Sequence, residues 1–91
     1  EKANSISPGN ADIQDTLGWL LVAKGDAKRG VELLKQSVAA SPKSPEPRMH
    51  LAKGLIKIGD KAGAKRALEE LIVIPGAGAL KDEAEQLLKS L

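Results

Sequence analysis

Apolar side chains fall at Ile13, Leu17, Leu20 and Leu21 along one stretch of the chain, and at Val31, Leu34 and Val38 along the next. That spacing is the 3.6-residue period of an amphipathic helix, and strand-like alternation is not seen. Gly25 and Gly59 each close a periodic run and can take the left-handed conformation that ends a helix. Asn10, Asp26, Ser44 and Asp60 are N-cap residue types standing just before the next run. Pro45 and Pro47 fall in a first turn, where a missing N–H costs little. The pattern predicts an all-α fold with helices at about 11–24, 27–40, 45–58, 61–73 and 80–90.

The pattern also repeats. "LGWLLVAKGD" at 17–26 returns as "LAKGLIKIGD" at 51–60, an offset of 34 residues. At that offset Leu17 meets Leu51, Gly18 meets Ala52, Leu21 meets Leu55, Gly30 meets Ala64, Leu34 meets Leu68 and Val38 meets Ile72. A helix–turn–helix unit of this period resembles the tetratricopeptide repeat. The likeness rests on Leu17-Gly18, the small residues Gly30 and Ala64, and Pro42 closing the unit. Leu21, Leu55, Leu34 and Leu68 stand where that family usually has Tyr or Phe, and Gln14 and Arg48 replace its early Trp.

The resemblance implies two complete repeats, 11–44 and 45–78, in a piece of right-handed helical solenoid. Residues 1–10 read as the tail of a preceding repeat or a linker, because Pro8 lies 34 before Pro42. Residues 79–91 read as a single capping helix, with Ala84, Leu87, Leu88 and Leu91 on one face. The phrases "DTLGWLLVAKGD", "SPEPRMHLAKGLIKIGDKAGAKRALEEL" and "EAEQLLKSL" are similar to the C-terminal end of bacterial tetratricopeptide proteins associated with exosortase and exopolysaccharide systems. That likeness implies a non-catalytic assembly role in envelope or polysaccharide export.

Small residues let paired helices approach. Gly30 and Gly18 read as packing glycines, so Gly30→Leu is expected to overpack the hairpin. Gly30→Ala is expected to be neutral or stabilising, since Ala64 fills the equivalent site and Ala is the better helix former.

Composition narrows the chemistry. With no Cys in 91 residues, disulfides, thiolate catalysis and Cys-ligated zinc are excluded. The formal charge of +2, spread along the chain, argues for neither nucleic acid nor an anionic membrane. The longest apolar run, Trp19 to Ala23, is far too short to span a bilayer, so no membrane insertion is expected. The compartment, cytoplasmic or periplasmic, stays open.

His50 is the sole His and has only Glu46 at helical spacing, so it reads as a packing or groove-lining side chain. "GDKAGAKR" at 59–66 lacks the glycine spacing of a phosphate loop, and Gly76-Ala77-Gly78 lacks the third glycine of a dinucleotide fingerprint. Neither a metal nor a cofactor is expected, nor catalysis.

The family resemblance further implies a protein or peptide partner on a concave groove lined by the first helix of each pair. Its positions here are Asp12, Asp15, Trp19 and Val22, then Met49, His50, Lys53, Ile56 and Lys57, then Glu83 and Leu87. The carboxylate clamp known in that family is not inherited, because Asp15 and Trp19 occupy its first Lys and Asn positions. Trp19 can anchor a partner or pack between repeats, and the two roles are compatible. Lys28 and Lys35 fall on a second helix, on the convex side, and serve there as a control pair. The face of the first repeat, if left open, is expected to support weak self-association. An alternative is an accessory domain of a larger enzyme such as a glycosyltransferase; another is a purely structural cap of a longer array.

Overall fold

The computed structural model describes residues 11–91. Five helices follow one another: α1 (Ala11–Ala23), α2 (Ala27–Ala40), α3 (Pro45–Lys57), α4 (Lys61–Ile72) and α5 (Ala79–Ser90). Each end lies within one residue of the span that periodicity predicts, and no strand occurs among the described residues. The reading of residues 1–10, and of Asn10 as a cap, lies outside the described residues.

The two tight turns close in the same way. Gly25 and Gly59 adopt φ of 97° and 83°, which a β-carbon would disfavour. The N–H of Asp26 reaches the carbonyl of Leu21 at 2.8 Å, and that of Asp60 reaches Leu55 at 2.8 Å. Gly25 and Gly59 add bonds to Val22 and Ile56, so both helices end in the Schellman arrangement.

The N-caps divide. The Asp60 carboxylate accepts the Gly63 N–H at 2.9 Å. Asp26 makes no side-chain cap bond and turns to Arg29 at 3.5 Å instead. Ser44 also makes no cap bond; its hydroxyl donates to Ser41 at 3.3 Å. Residue type predicts all three positions but not which donor the side chain takes.

α1 packs on α2 and α3 on α4, with α2 against α3, α5 against α4, and α1, α3 and α5 in sequence along one side. Leu34, Leu68 and Leu71 are fully buried, with Val22, Val31, Met49, Leu55, Ala52 and Ala64 around them. Aliphatic packing replaces aromatic filling throughout. Ser37 is the one buried polar side chain among the described residues, and its hydroxyl donates to the Ala11 carbonyl at 2.7 Å, fastening the end of α2 to the start of α1.

Glycines set the closest approaches. A β-carbon on Gly30 would lie 2.4 Å from the Gly18 carbonyl oxygen and 2.9 Å from the Val22 nitrogen, both backbone atoms. This contact opposes the expectation that Gly30→Ala is neutral or stabilising. Ala64 fills the equivalent site opposite Ala52, but at Gly30 the facing helix stands too near for a methyl group. Gly54 makes a third close approach, between the hairpins, since a β-carbon there would lie 2.9 Å from Val31 Cγ2.

Gly54, late in α3, sits against Val22, late in α1, and against Val31, early in α2. Both tight turns therefore share one edge of the molecule. The α2–α3 and α4–α5 connections share the opposite edge.

Candidate functional site

The face made by α1, α3 and α5 brings together five of the predicted groove residues. Asp15 on α1 and His50 on α3 meet at 2.7 Å between Oδ1 and Nδ1. One helical turn on, the indole of Trp19 stacks on the His50 imidazole, with ring centroids 4.6 Å apart and planes 19° from parallel. The Lys53 ammonium lies 5.9 Å from the indole centroid, within reach of a cation–π attraction. The same ammonium pairs with Glu83 of α5 at 2.8 Å. A continuous string, Asp15–His50–Trp19–Lys53–Glu83, thus crosses three helices.

The local reason is register. Residues three and four apart share a helix face, so Asp15 and Trp19 align on α1, and His50 and Lys53 on α3. His50 was left without a partner by spacing along its own helix. Its partner comes from 35 positions earlier in the chain, a contact that only the stacking of hairpins supplies.

Other predicted positions are placed as follows. Asp12 and Lys57 are exposed, while Ile56 and Leu87 are half-buried against the core. Val22 and Met49 are each only 2% exposed and belong to the core, which corrects their place among the groove residues. Val22 fills the space left by Gly30 and Gly54, with its Cγ2 within 3.2 Å of where either β-carbon would stand. Met49 precedes His50 by one residue, and about 100° of helix rotation carries it from the groove into the interior. Neither can meet a partner without unfolding. Met49→Ala is accordingly a stability variant rather than a binding variant.

Two contributions escape linear reading. Gly54 permits α3 to seat on α1 and α2, yet nothing in the repeat marks it, since Leu20 stands 34 residues before it. Arg48, where the resembled family has an early Trp at an aligned position, forms a polar bracket. Its guanidinium donates to Glu70 at 2.7 Å and to the Pro42 carbonyl at 3.1 and 3.3 Å, joining α3 to α4 and to the preceding loop.

The arrangement offers polar and aromatic contact, with no nucleophile set beside a base. Among the described residues no group of three His, Asp or Glu is placed to hold a metal ion. No helix there is long and apolar enough to cross a membrane.

Comparison with known proteins agrees with this architecture. A tetratricopeptide repeat model matches residues 21–73. The chain is also similar to the probable biofilm formation methyltransferase WspC of Pseudomonas putida, with 36% identity over 62 residues. That match covers 68% of this chain but only 15% of the length of WspC. No solved structure matches it. With the family model covering more than half of its length, on helices paired as the repeat requires, the chain belongs to the tetratricopeptide repeat family.

Proposed function

We propose that this chain is a non-catalytic protein-interaction module, a part of a larger scaffold, that receives a partner segment on the face of α1, α3 and α5. Tetratricopeptide repeats generally mediate protein–protein interaction, which sets the class. The observation that carries the specific reading is the contiguity of Asp15, Trp19, His50, Lys53 and Glu83 across three helices. Their mutual pairing holds the face in one geometry, so little side-chain entropy is left to lose on binding. The exposed Asp12 at one end and Lys57 at the other then favour an extended partner with a cation and a carboxylate in matching order. An apolar partner residue meets the Trp19 ring.

The test uses the chain as bait and then measures the captured partner's kinetics. Trp19→Ala should weaken binding about tenfold or more, chiefly by faster dissociation. Lys57→Glu should slow association and lessen its salt dependence. Binding untouched by both substitutions, with helicity retained, would move the partner site elsewhere.

A second reading has its own observation. The relative WspC carries its matching segment within a protein named as a methyltransferase, which favours this chain serving as the accessory repeat domain of a larger enzyme. An association with exopolysaccharide export remains a narrower form of the scaffold reading. The outer stripe of α1 is a second contact surface for weak self-association, since Leu17 and Leu20 are 48% and 49% exposed.

A further inference from the structure

The small net charge conceals a separation. The edge carrying both tight turns is built from residues 24–32 and 57–66, which hold seven Lys and Arg against three acidic residues. Two of those acids are committed, Asp26 to Arg29 and Asp60 to the Gly63 N–H. The opposite edge is net acidic, with Asp12, Asp15, Glu46, Glu69, Glu70, Asp82 and Glu83 against Lys43, Arg48 and Lys81. Charge that is spread along the chain is sorted by antiparallel pairing into a basic and an acidic edge.

Behind the N-cap residues Asp26 and Asp60, the first turns on this edge are basic. α2 and α4 carry no acidic residue in their first turns, where the helix dipole favours one, and place Lys28 and Lys61 there instead.

On the same edge lies a cleft of about 380 Å³ between α2 and the end of α3. Its floor is the buried Val31 and Leu55, its exposed apolar surface is Ile58 at 37%, and Arg29, Glu32 and Asp60 also line it. Lys28 and Lys35 stand on its α2 side. Neither is in a salt bridge among the described residues.

We propose that this cleft is a second interaction site, separate from the α1–α3–α5 face, which takes an acidic protein segment carrying one apolar side chain. The apolar side chain seats on Ile58, and flanking carboxylates pair with Lys28 and Lys35. Those two lysines are about 10 Å apart along α2, the reach of about three residues of extended peptide. The exposed Ile58 is what selects a protein over a polyanion. A phosphate backbone makes no use of Ile58, and the only Trp, which could stack on a base, lies on the other face with His50.

The probe is a fluorescein-labelled peptide with a central Leu flanked by Asp, followed by anisotropy against the 91-residue chain. Binding should weaken with salt and fall about tenfold in the Lys28→Glu/Lys35→Glu double variant. Ile58→Ser should weaken the Leu peptide and leave a Ser-centred control peptide unchanged. Glu32→Gln, which removes the free carboxylate from the rim, should tighten binding.

Lys81→Glu, on the acidic edge, should have no effect. Trp19→Ala should also leave this binding intact, which separates it from the groove proposal. No binding of the Leu peptide, or equal binding of the Ser peptide, overturns the inference. Tighter binding of single-stranded DNA or of phosphatidylserine vesicles, insensitive to Ile58→Ser, also overturns it and makes the edge a polyanion surface.

Discussion

The two hairpins are written in one sequence pattern and packed in two different ways. At the position of the repeated leucine, Leu17 is 48% exposed on α1 while Leu51 is 9% exposed on α3. The difference lies in the neighbours. α3 has the α1–α2 hairpin laid across it, and Gly54 lets that hairpin approach. The corresponding side of α1 carries Leu20 where Gly54 would be, and no described helix covers it. A repeat position therefore defines a direction on a helix, and the next element in the stack decides whether that direction is core.

The largest test of this contrast removes the same side chain twice. Leu51→Ala should destabilise the fold by about 2–4 kcal/mol, the cost of an aliphatic truncation in a packed interior. Leu17→Ala should cost under about 1 kcal/mol, because half of its surface already faces water. Urea midpoints of the two variants measure the difference directly. Equal losses would mean that α1 is covered as fully as α3, by the chain itself or by a second copy. Sedimentation at several concentrations separates those two cases.

A smaller effect comes from the helix crossing inside each hairpin. Gly30→Ala brings a methyl group within 2.4 Å of a backbone carbonyl, which no rotamer change can relieve. Overpacking of this kind costs about 1–3 kcal/mol, and helix propensity returns roughly 1 of it, for a net loss of about 0–2. Gly30→Leu should lose more. In the second hairpin the same exchange reversed, Ala64→Gly, should cost about 1 kcal/mol through propensity. Each hairpin would then be fitted to its own small residue. A stabilised Gly30→Ala variant would show that the first crossing is looser than the contact implies.

These contrasts show where sequence reading stops. Helix number, span and pairing were legible because the 34-residue offset repeats apolar positions, turn glycines and small residues together. The family resemblance sets Asp15, Trp19, His50, Lys53 and Glu83 on one face, and these five do meet across α1, α3 and α5. It failed at Val22 and Met49, where one residue of register separates surface from core. Charge balance along the chain hid the basic edge for a related reason. Residues 24–32 and 57–66 become neighbours only when both hairpins fold back in the same sense. Periodicity records which way a side chain points, and the stacking of elements determines what it meets there.

The finest test concerns the caps, where the two turns share backbone geometry but differ in side-chain use. Asp60 accepts the Gly63 N–H, so Asp60→Ala should cost about 1 kcal/mol, as loss of an N-cap generally does. Asp26 makes no such bond and pairs only with Arg29, whose side chain is 77% exposed. An exposed pair of that kind contributes a few tenths of a kcal/mol, so Asp26→Ala should be close to neutral. Asp60→Asn should retain most of the cap, because an amide oxygen still accepts the N–H. Amide hydrogen exchange at Gly63 and at Arg29, the third residue after each cap, provides the local readout. Protection should fall at Gly63 in Asp60→Ala and stay unchanged at Arg29 in Asp26→Ala. If both sites lost protection equally, Asp26 would be capping α2 in solution, and at this level the two turns would be equivalent after all.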